Sequence, residues 1–291
     1  AAPGSGGFRE SAVRILHILV LLLLALAVRI GWYADLRLQP DFTLPLHDAA
    51  FKDWWGRAIV TGDYTLPDGR RSLFIEGWPL PNPPLYSRYL AGLYRLAGER
   101  TEKYYPLIRY TQFAAGLATV LLLYGLGRRL FSHPVGLAAA GLYAFQWAVV
   151  YYEGEINQPA LINLMIVVMA HLALAWLRTG RTLWPPAAGI LWGCMVLLRP
   201  ESLLFWPFLP LWMVWSGWTR WRWRAVSAAV ITALSTVAVM APVTFPHFPG
   251  SRSWLTVSYG GEVSFYLSNN EYADGVRPDT PDLYRYLPNG E

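Results

Sequence analysis

Charged residues cut this chain into nearly uncharged stretches long enough to cross a bilayer, and that division restricts it to one class of fold. A spanning helix needs about 17–25 mostly apolar residues. In hydrocarbon its backbone N–H and C=O groups must be satisfied internally. Such stretches run roughly over residues 12–30, 106–126, 134–152, 157–177, 183–198, 202–217 and 225–245. The fifth, closed by Arg199-Pro200, is among the shortest. The expectation is an all-α polytopic membrane protein with its helical module in 1–245 and an extracytoplasmic loop over 246–291. Composition agrees: 54% of residues are hydrophobic and 15% charged, against about 25% charged in soluble domains. Arg29, Trp32 and Tyr33 follow the first stretch where a cleavage site would show small residues, so it reads as an anchor that stays. Arg14 and Arg29 at its ends are expected to snorkel. The chain opens on Ala1 and stops in polar sequence at Glu291, and reads as a piece of a longer protein.

Orientation follows from the short loops. Residues 127–133, 178–181 and 219–224 carry arginines and no acid. With seven spans they fall on one side together with Arg9 and Arg14, which the positive-inside rule makes cytoplasmic. The opposite side receives the long 31–105 loop, the Glu153–Glu155 corner, the Arg199–Glu201 corner and the tail. The net charge of +5 is thus explained by topology, and no nucleic-acid partner is implied. Cys194 is the single cysteine, so neither a disulfide framework nor a cysteine-based metal site exists within the chain.

The outer loop begins with Leu46–Asp63, where Phe51, Trp54, Trp55, Ala58 and Ile59 repeat at helical spacing. Lys52, Asp53 and Arg57 lie off that face. The pattern suits a helix on a membrane surface, its aromatic rings at headgroup level. A turn-rich piece at 66–71 follows. A second helix over 84–97 is expected from Pro83-Pro84 and from Leu85, Tyr89, Leu93 and Leu96, in the interface or partway into the membrane.

Motifs of soluble nucleotide, phosphate and metalloprotease sites are absent, and so is a DxD pair, which disfavours a nucleotide-bound sugar donor. Asp48, at the head of the first helix and the edge of the bilayer, is the leading catalytic candidate. On the residues alone the helix N-cap is the favoured reading, and the two roles are compatible. Glu153 and Glu155 read either as a solvated membrane-edge corner or as a second carboxylate wall contacting an acceptor or a cation, with Glu155 slightly preferred. Arg199 either pairs with Glu201 or binds a lipid phosphate through its planar fork. Arg109 is a weaker candidate for that task. His171 reads as a polar residue packed between helices. His47 beside Asp48 is too little for a metal site. No cofactor is called for, and a divalent cation at the carboxylates stays open.

The chain resembles the membrane glycosyltransferases of the GT-C class, closest to the bacterial proteins grouped with dolichyl-phosphate-mannose protein mannosyltransferases (glycosyltransferase family 39) and the aminoarabinose transferases. The likeness is carried by Leu46–Ala49, the Trp-rich helix ending in Thr61–Asp63, and Asn82–Tyr86. It continues through Tyr124–Phe131, Tyr151–Glu155, Leu197–Glu201, Phe265–Asn270 and Ala273–Gly275. Ser268 departs from the Gly expected before the Asn pair, and the single Asp48 from the Asp-Glu pair of the protein mannosyltransferases. The resemblance implies an inverting transfer from a polyprenyl-phosphate sugar to a protein, lipid or glycan acceptor outside the cytoplasm, in a bacterial inner membrane. It makes Asp48 the base and Arg199 the cation for the leaving phosphate, with Glu153, Glu155, Arg109, Asn269 and Asn270 as substrate-binding candidates. The competing readings are a transporter or flippase of lipid-linked sugars, and a non-catalytic assembly subunit among membrane lipids. A transporter calls for charged or broken helices near mid-membrane, where the sequence offers only His171.

Overall fold

The computed structural model describes residues 5–65, 83–98, 103–244 and 269, and every regular element among them is helical apart from one isolated bridge residue, Thr65. The expected turn at 66–71 and nearly all of the 246–291 loop lie outside the described residues. The helices are α1 (Ser5–Leu36), α2 (His47–Thr61), α3 (Pro84–Ala97), α4 (Tyr104–Leu130), α5 (His133–Phe145), α6 (Trp147–Gly154), α7 (Pro159–Thr179), α8 (Trp184–Leu198), α9 (Ser202–Phe205), α10 (Phe208–Trp221) and α11 (Trp223–Thr244).

Among the described residues four helices, α1, α4, α7 and α11, are long and apolar enough to cross a membrane. The stretch 134–152, expected as one span, is broken into α5 and α6 with a bend of 53°. The break falls at Gln146, whose extended backbone ends one helix and opens the next. Counted as one span the bent pair makes five. α8 is a shorter apolar helix of 15 residues. The stretch expected at 202–217 becomes the four-residue α9 and the 14-residue α10. The polypeptide is therefore an all-α polytopic membrane protein.

Small side chains and hydroxyls set the approach of α8 to α11. A Cβ on Gly189 of α8 would lie 2.3 Å from the Thr232 carbonyl oxygen of α11, so only glycine permits this approach. Thr232 and Thr236 of α11 then donate to the carbonyls of Pro185 and Gly189 at 3.1 Å each. In hydrocarbon, where apolar burial gives helices little reason to associate, such contacts hold a bundle together.

α1 packs on α4, α5 and α6 through Ala25, Trp32 and Leu36 and turns Ile15, Leu19 and Leu23 outward. Arg29 does not snorkel. It is 1% exposed and forks onto both oxygens of Glu153, at 2.7 and 2.8 Å. It also donates to the carbonyls of Ala25 and Ala144, the latter two residues before the α5–α6 break at Gln146.

The two ends of α4 mark the two ends of the bundle. Near Leu130, the Arg129 guanidinium contacts His171 Nδ1 at 3.1 Å and Arg178 donates to the Arg129 carbonyl. His17 and His133 meet there at 3.2 Å. His171 lies between α7 and α4, its Nε2 bonded to the Leu122 carbonyl, in keeping with its reading as a polar contact between helices. The arginine loops thus gather at this end. At the opposite end α3 runs antiparallel along the first half of α4, from Tyr86 beside Gln112 to Tyr94 beside Tyr104, and α2 packs on α3.

α2 and α3 are packed into the protein on more than one side. Part of the aromatic face of α2 is turned into the protein: Trp55 is buried against Val196, Leu197, Met240 and Val243 of α8 and α11, while Phe51, Trp54 and Ile59 stay half-buried. The face carrying Lys52 and Asp53, expected to meet water, is buried too, at 5% and 7% exposure. In α3 the buried stripe is Tyr86, Leu90, Leu93 and Tyr94, while Leu96 is 80% exposed. The stripe is rotated from the expected one because tyrosine hydroxyls find partners inside and Leu96 finds none.

Candidate active site

Asp48 is not the N-cap of α2. Leu46 occupies that position in extended conformation, and Asp48 sits in the first helical turn. The carboxylate is exposed and receives no hydrogen bond among the described residues. An anion there is favoured by the helix dipole.

One turn further on, Lys52 comes off the same side of the helix. Its Nζ donates to Asn157 Oδ1 at 2.8 Å and lies 5.9 Å from the centre of the Tyr86 ring. Burial pulls its pKa below the ordinary lysine value of 10.5; the Asp48 charge opposes this and the Arg199 charge adds to it. Asp48, Lys52 and Arg199 therefore share one electrostatic neighbourhood, although they come from α2 and from the end of α8.

Arg199 is the C-cap of α8, its N–H bonded to the Met195 carbonyl at 2.8 Å. Its guanidinium is half exposed and lies 3.6 Å from Glu201, which is more exposed still. Pairs of that kind contribute about 0–1 kcal/mol, so Arg199 can turn to another anion at little cost.

The wall opposite α2 is the corner after α6. Gln112, fully buried in α4, donates to the carbonyls of Glu153 at 2.8 Å and Glu155 at 2.6 Å. It accepts from the Tyr86 hydroxyl at 2.6 Å. The Asn157 N–H then closes on the Glu155 carbonyl at 2.8 Å. This chain of bonds positions the Asn157 side chain for Lys52. The Glu155 carboxylate is close enough for its charge to act on Tyr86.

The remaining candidates divide clearly. Glu153 is neither solvated nor turned to this corner, because Arg29 occupies both of its oxygens. Arg109, 3% exposed, donates to the carbonyls of Gly154 and Phe42 at 3.0 and 3.2 Å and stacks 4.1 Å from the Phe42 ring centre. It ties backbone segments together. Asn269 is exposed, and Asn270 lies outside the described residues. Among the described residues no three His, Cys, Asp or Glu side chains are grouped to hold a metal.

Two groups escaped the sequence reading. Lys52 was visible as the residue one turn after Asp48, and its burial was not. Asp53 accepts from the Tyr94 hydroxyl, from Tyr105 at 3.2 Å and from Arg57 at 3.1 Å, and Arg57 donates in turn to Tyr105 at 2.6 Å. Burial and the Asp53 charge push the Tyr94 phenol far above its usual range, so it stays a neutral donor. This knot fastens α2 to α3 and α4 beside the open corner.

Residues 81–245, more than half of the chain, match the sequence pattern of the family described as dolichyl-phosphate-mannose-protein mannosyltransferase. The chain belongs to that family. It is a membrane glycosyltransferase of the GT-C type, and the family implies a lipid-linked sugar donor and an acceptor at the membrane. The matched region holds Arg109, Gln112, Glu153, Glu155, Asn157 and Arg199, and leaves Asp48 and Lys52 outside. A comparison with curated proteins gives no match.

Proposed function

We propose that this mannosyltransferase-family protein moves a sugar from a polyprenyl-phosphate carrier to an acceptor hydroxyl, with inversion, on the extracytoplasmic side of a bacterial inner membrane. The observation that carries the reading is the open corner itself. An exposed carboxylate, Asp48, and the Arg199 cation both act on the buried Lys52 between them in charge, at the end of the bundle opposite the arginine loops. Asp48 takes the proton of the acceptor hydroxyl as its oxygen attacks the anomeric carbon. The bond from that carbon to the phosphate oxygen breaks, and the departing phosphate carries negative charge. Arg199 and Lys52 stabilise that charge as it develops, where preorganised cations act most strongly. Glu155 and Asn157 border the acceptor side.

The positive-inside rule supports the sidedness, because the loops at 127–133, 178–181 and 219–224 meet at one end. The seven-span count remains part of this proposal. α8 and α10 cross as short helices in it, and the bent α5–α6 pair crosses once.

The test is transfer in proteoliposomes. The full-length protein receives a polyprenyl-phosphate sugar and an acceptor, and Asp48→Asn is compared with the wild type. Normal transfer by a folded Asp48→Asn protein sinks the mechanism. Lipid movement without acceptor, unchanged in that variant, would favour the flippase reading. Mass spectrometry of glycans and lipids from cells with and without the gene identifies sugar and acceptor together.

A further inference from the structure

The arginine-loop end contains a cavity that the transfer reaction does not use. It has a volume of about 560 Å³ and opens between the α7–α8 turn and the start of α11. Arg181, Thr182 and Arg224 line its polar side, and no acid lines it. Neither arginine makes a side-chain hydrogen bond or ion pair among the described residues. Neighbouring arginines of the same loops are engaged: Arg178 donates to the Arg129 carbonyl, and Arg220 stacks 5.1 Å from the Trp221 ring centre.

The polar side is held in place by its own backbone. Thr179 Oγ1 accepts from the Arg181 N–H at 3.4 Å and from Trp184 Nε1 at 3.0 Å, which fixes the turn carrying Arg181. Across the opening, the tight α10–α11 corner closes through the Ala225 N–H on the Arg222 carbonyl at 2.9 Å. That places Arg224 in the first turn of α11, where the helix dipole also favours an anion.

The rest of the lining is apolar. Leu183 and Ile231 form the wall, and the α11 surface continues through exposed Leu234. A free phosphate would use only the rim of such a site. A ligand with a phosphate and a hydrocarbon chain would use all of it. Basic pockets between membrane helices on the arginine-rich side suit anionic headgroups. We propose that this cavity binds an anionic phospholipid, its phosphate between Arg181 and Arg224 and an acyl chain along Ile231 and Leu234.

The full chain in nanodiscs of phosphatidylcholine and phosphatidylglycerol, released into native mass spectrometry, reports which lipid is retained. The wild type is expected to retain phosphatidylglycerol in preference. Arg181→Ala with Arg224→Ala should weaken that retention about 25-fold, from about fivefold for each arginine near the surface. Arg178→Ala with Arg220→Ala, in the same loops but outside the cavity, should leave it unchanged. Equal losses in both double variants would reduce the effect to general surface charge and overturn the proposal. So would displacement of the lipid by millimolar inorganic phosphate, which would mark a site for a soluble anion. Leu234→Asn should weaken lipid retention and leave the response to free phosphate as it was. If the cavity double variant does not fold, Arg181→Gln alone carries the test, with a fivefold loss expected.

Discussion

Asp48 and Asp53 ride on one helix, little more than a turn apart, and the fold gives them opposite surroundings. Asp53 is enclosed by Tyr94, Tyr105 and Arg57, which supply donors to both of its oxygens. Asp48 is exposed, close enough for its charge to act on Lys52, and has no hydrogen bond among the described residues. A carboxylate whose lone pairs are filled by fixed donors holds structure in place. One held on a rigid element with its lone pairs available can take a proton. The knot at Asp53 and the open corner at Asp48 thus divide the work of α2, and the first gives the second its fixed position.

The largest expected effect separates the two carboxylates. Asp48→Asn should lower transfer by about 10²–10⁴-fold, the usual contribution of a general base, with unchanged thermal unfolding in detergent. Asp53→Ala should instead lower stability by about 1–3 kcal/mol, because the buried Tyr94 hydroxyl loses its acceptor. Loss of activity in a fully stable Asp53→Ala protein would break the comparison.

The buried Arg29–Glu153 pair extends the contrast to a carboxylate of the matched region. Glu153→Ala should cost about 3–5 kcal/mol of stability by leaving a buried guanidinium unpaired. Replacing both residues by methionine should restore most of it, as read by melting and by recovery from membranes. Gly116→Ala probes the same pair with no change of charge, since the added Cβ would lie 2.2 Å from Glu153 Oε1.

Arg199→Gln should raise the KM for the lipid-phosphate donor about tenfold and lower kcat, the scale of one charge-assisted phosphate contact of about 1.5–3 kcal/mol. Steady-state kinetics over a range of donor concentrations measure both.

The smallest effect is a displacement of the pH profile. Burial lowers the pKa of Lys52, so its cation is lost at lower pH than that of an ordinary lysine. Transfer should fall on the alkaline side as pH rises through that lowered value. Removing the Arg199 charge takes away a lowering influence, so in Arg199→Gln the alkaline limb should move to higher pH. Removing the Asp48 charge should move the Lys52 titration the other way. A limb that stays put in Arg199→Gln would place Lys52 outside the reaction.

How much of this could be read beforehand depends on the range of the interaction. α1, α4, α7 and α11 were legible because each is a long apolar run with few charges, bounded by arginines or turns. α2 and α3 were legible from helical spacing and from Pro83-Pro84. The break between α5 and α6 was not, since Gln146 is neither Gly nor Pro and its neighbours are uniformly apolar. The surroundings of α2 were misread for a related reason. A helix with aromatic residues on one side and Lys52, Asp53 and Arg57 on another gives the same pattern on a membrane surface as it does packed on both sides. Tyr94, Tyr105 and Asn157, which absorb those charges, come from distant parts of the chain. Asp48 and Arg199 could be proposed from the sequence because each sits at a helix end where a spare charge has no packing task. Glu153 looked like Glu155 until Arg29 was found on it.

The partners of that ion pair are 124 positions apart in the chain. At synthesis rates of about 5–20 residues per second, Arg29 waits roughly 6–25 s for Glu153 to be made. An unpaired arginine in hydrocarbon costs about 2.5–3.5 kcal/mol on insertion scales, so during that interval α1 should ride high, its guanidinium drawn to the interface. Arrival of α6 then lets the helix settle to its final depth. Depth-sensitive crosslinking of nascent chains, stopped before and after residue 153, would register the drop as a step. On this view the pair acts as a timer in biogenesis: the first helix is inserted early and seated late.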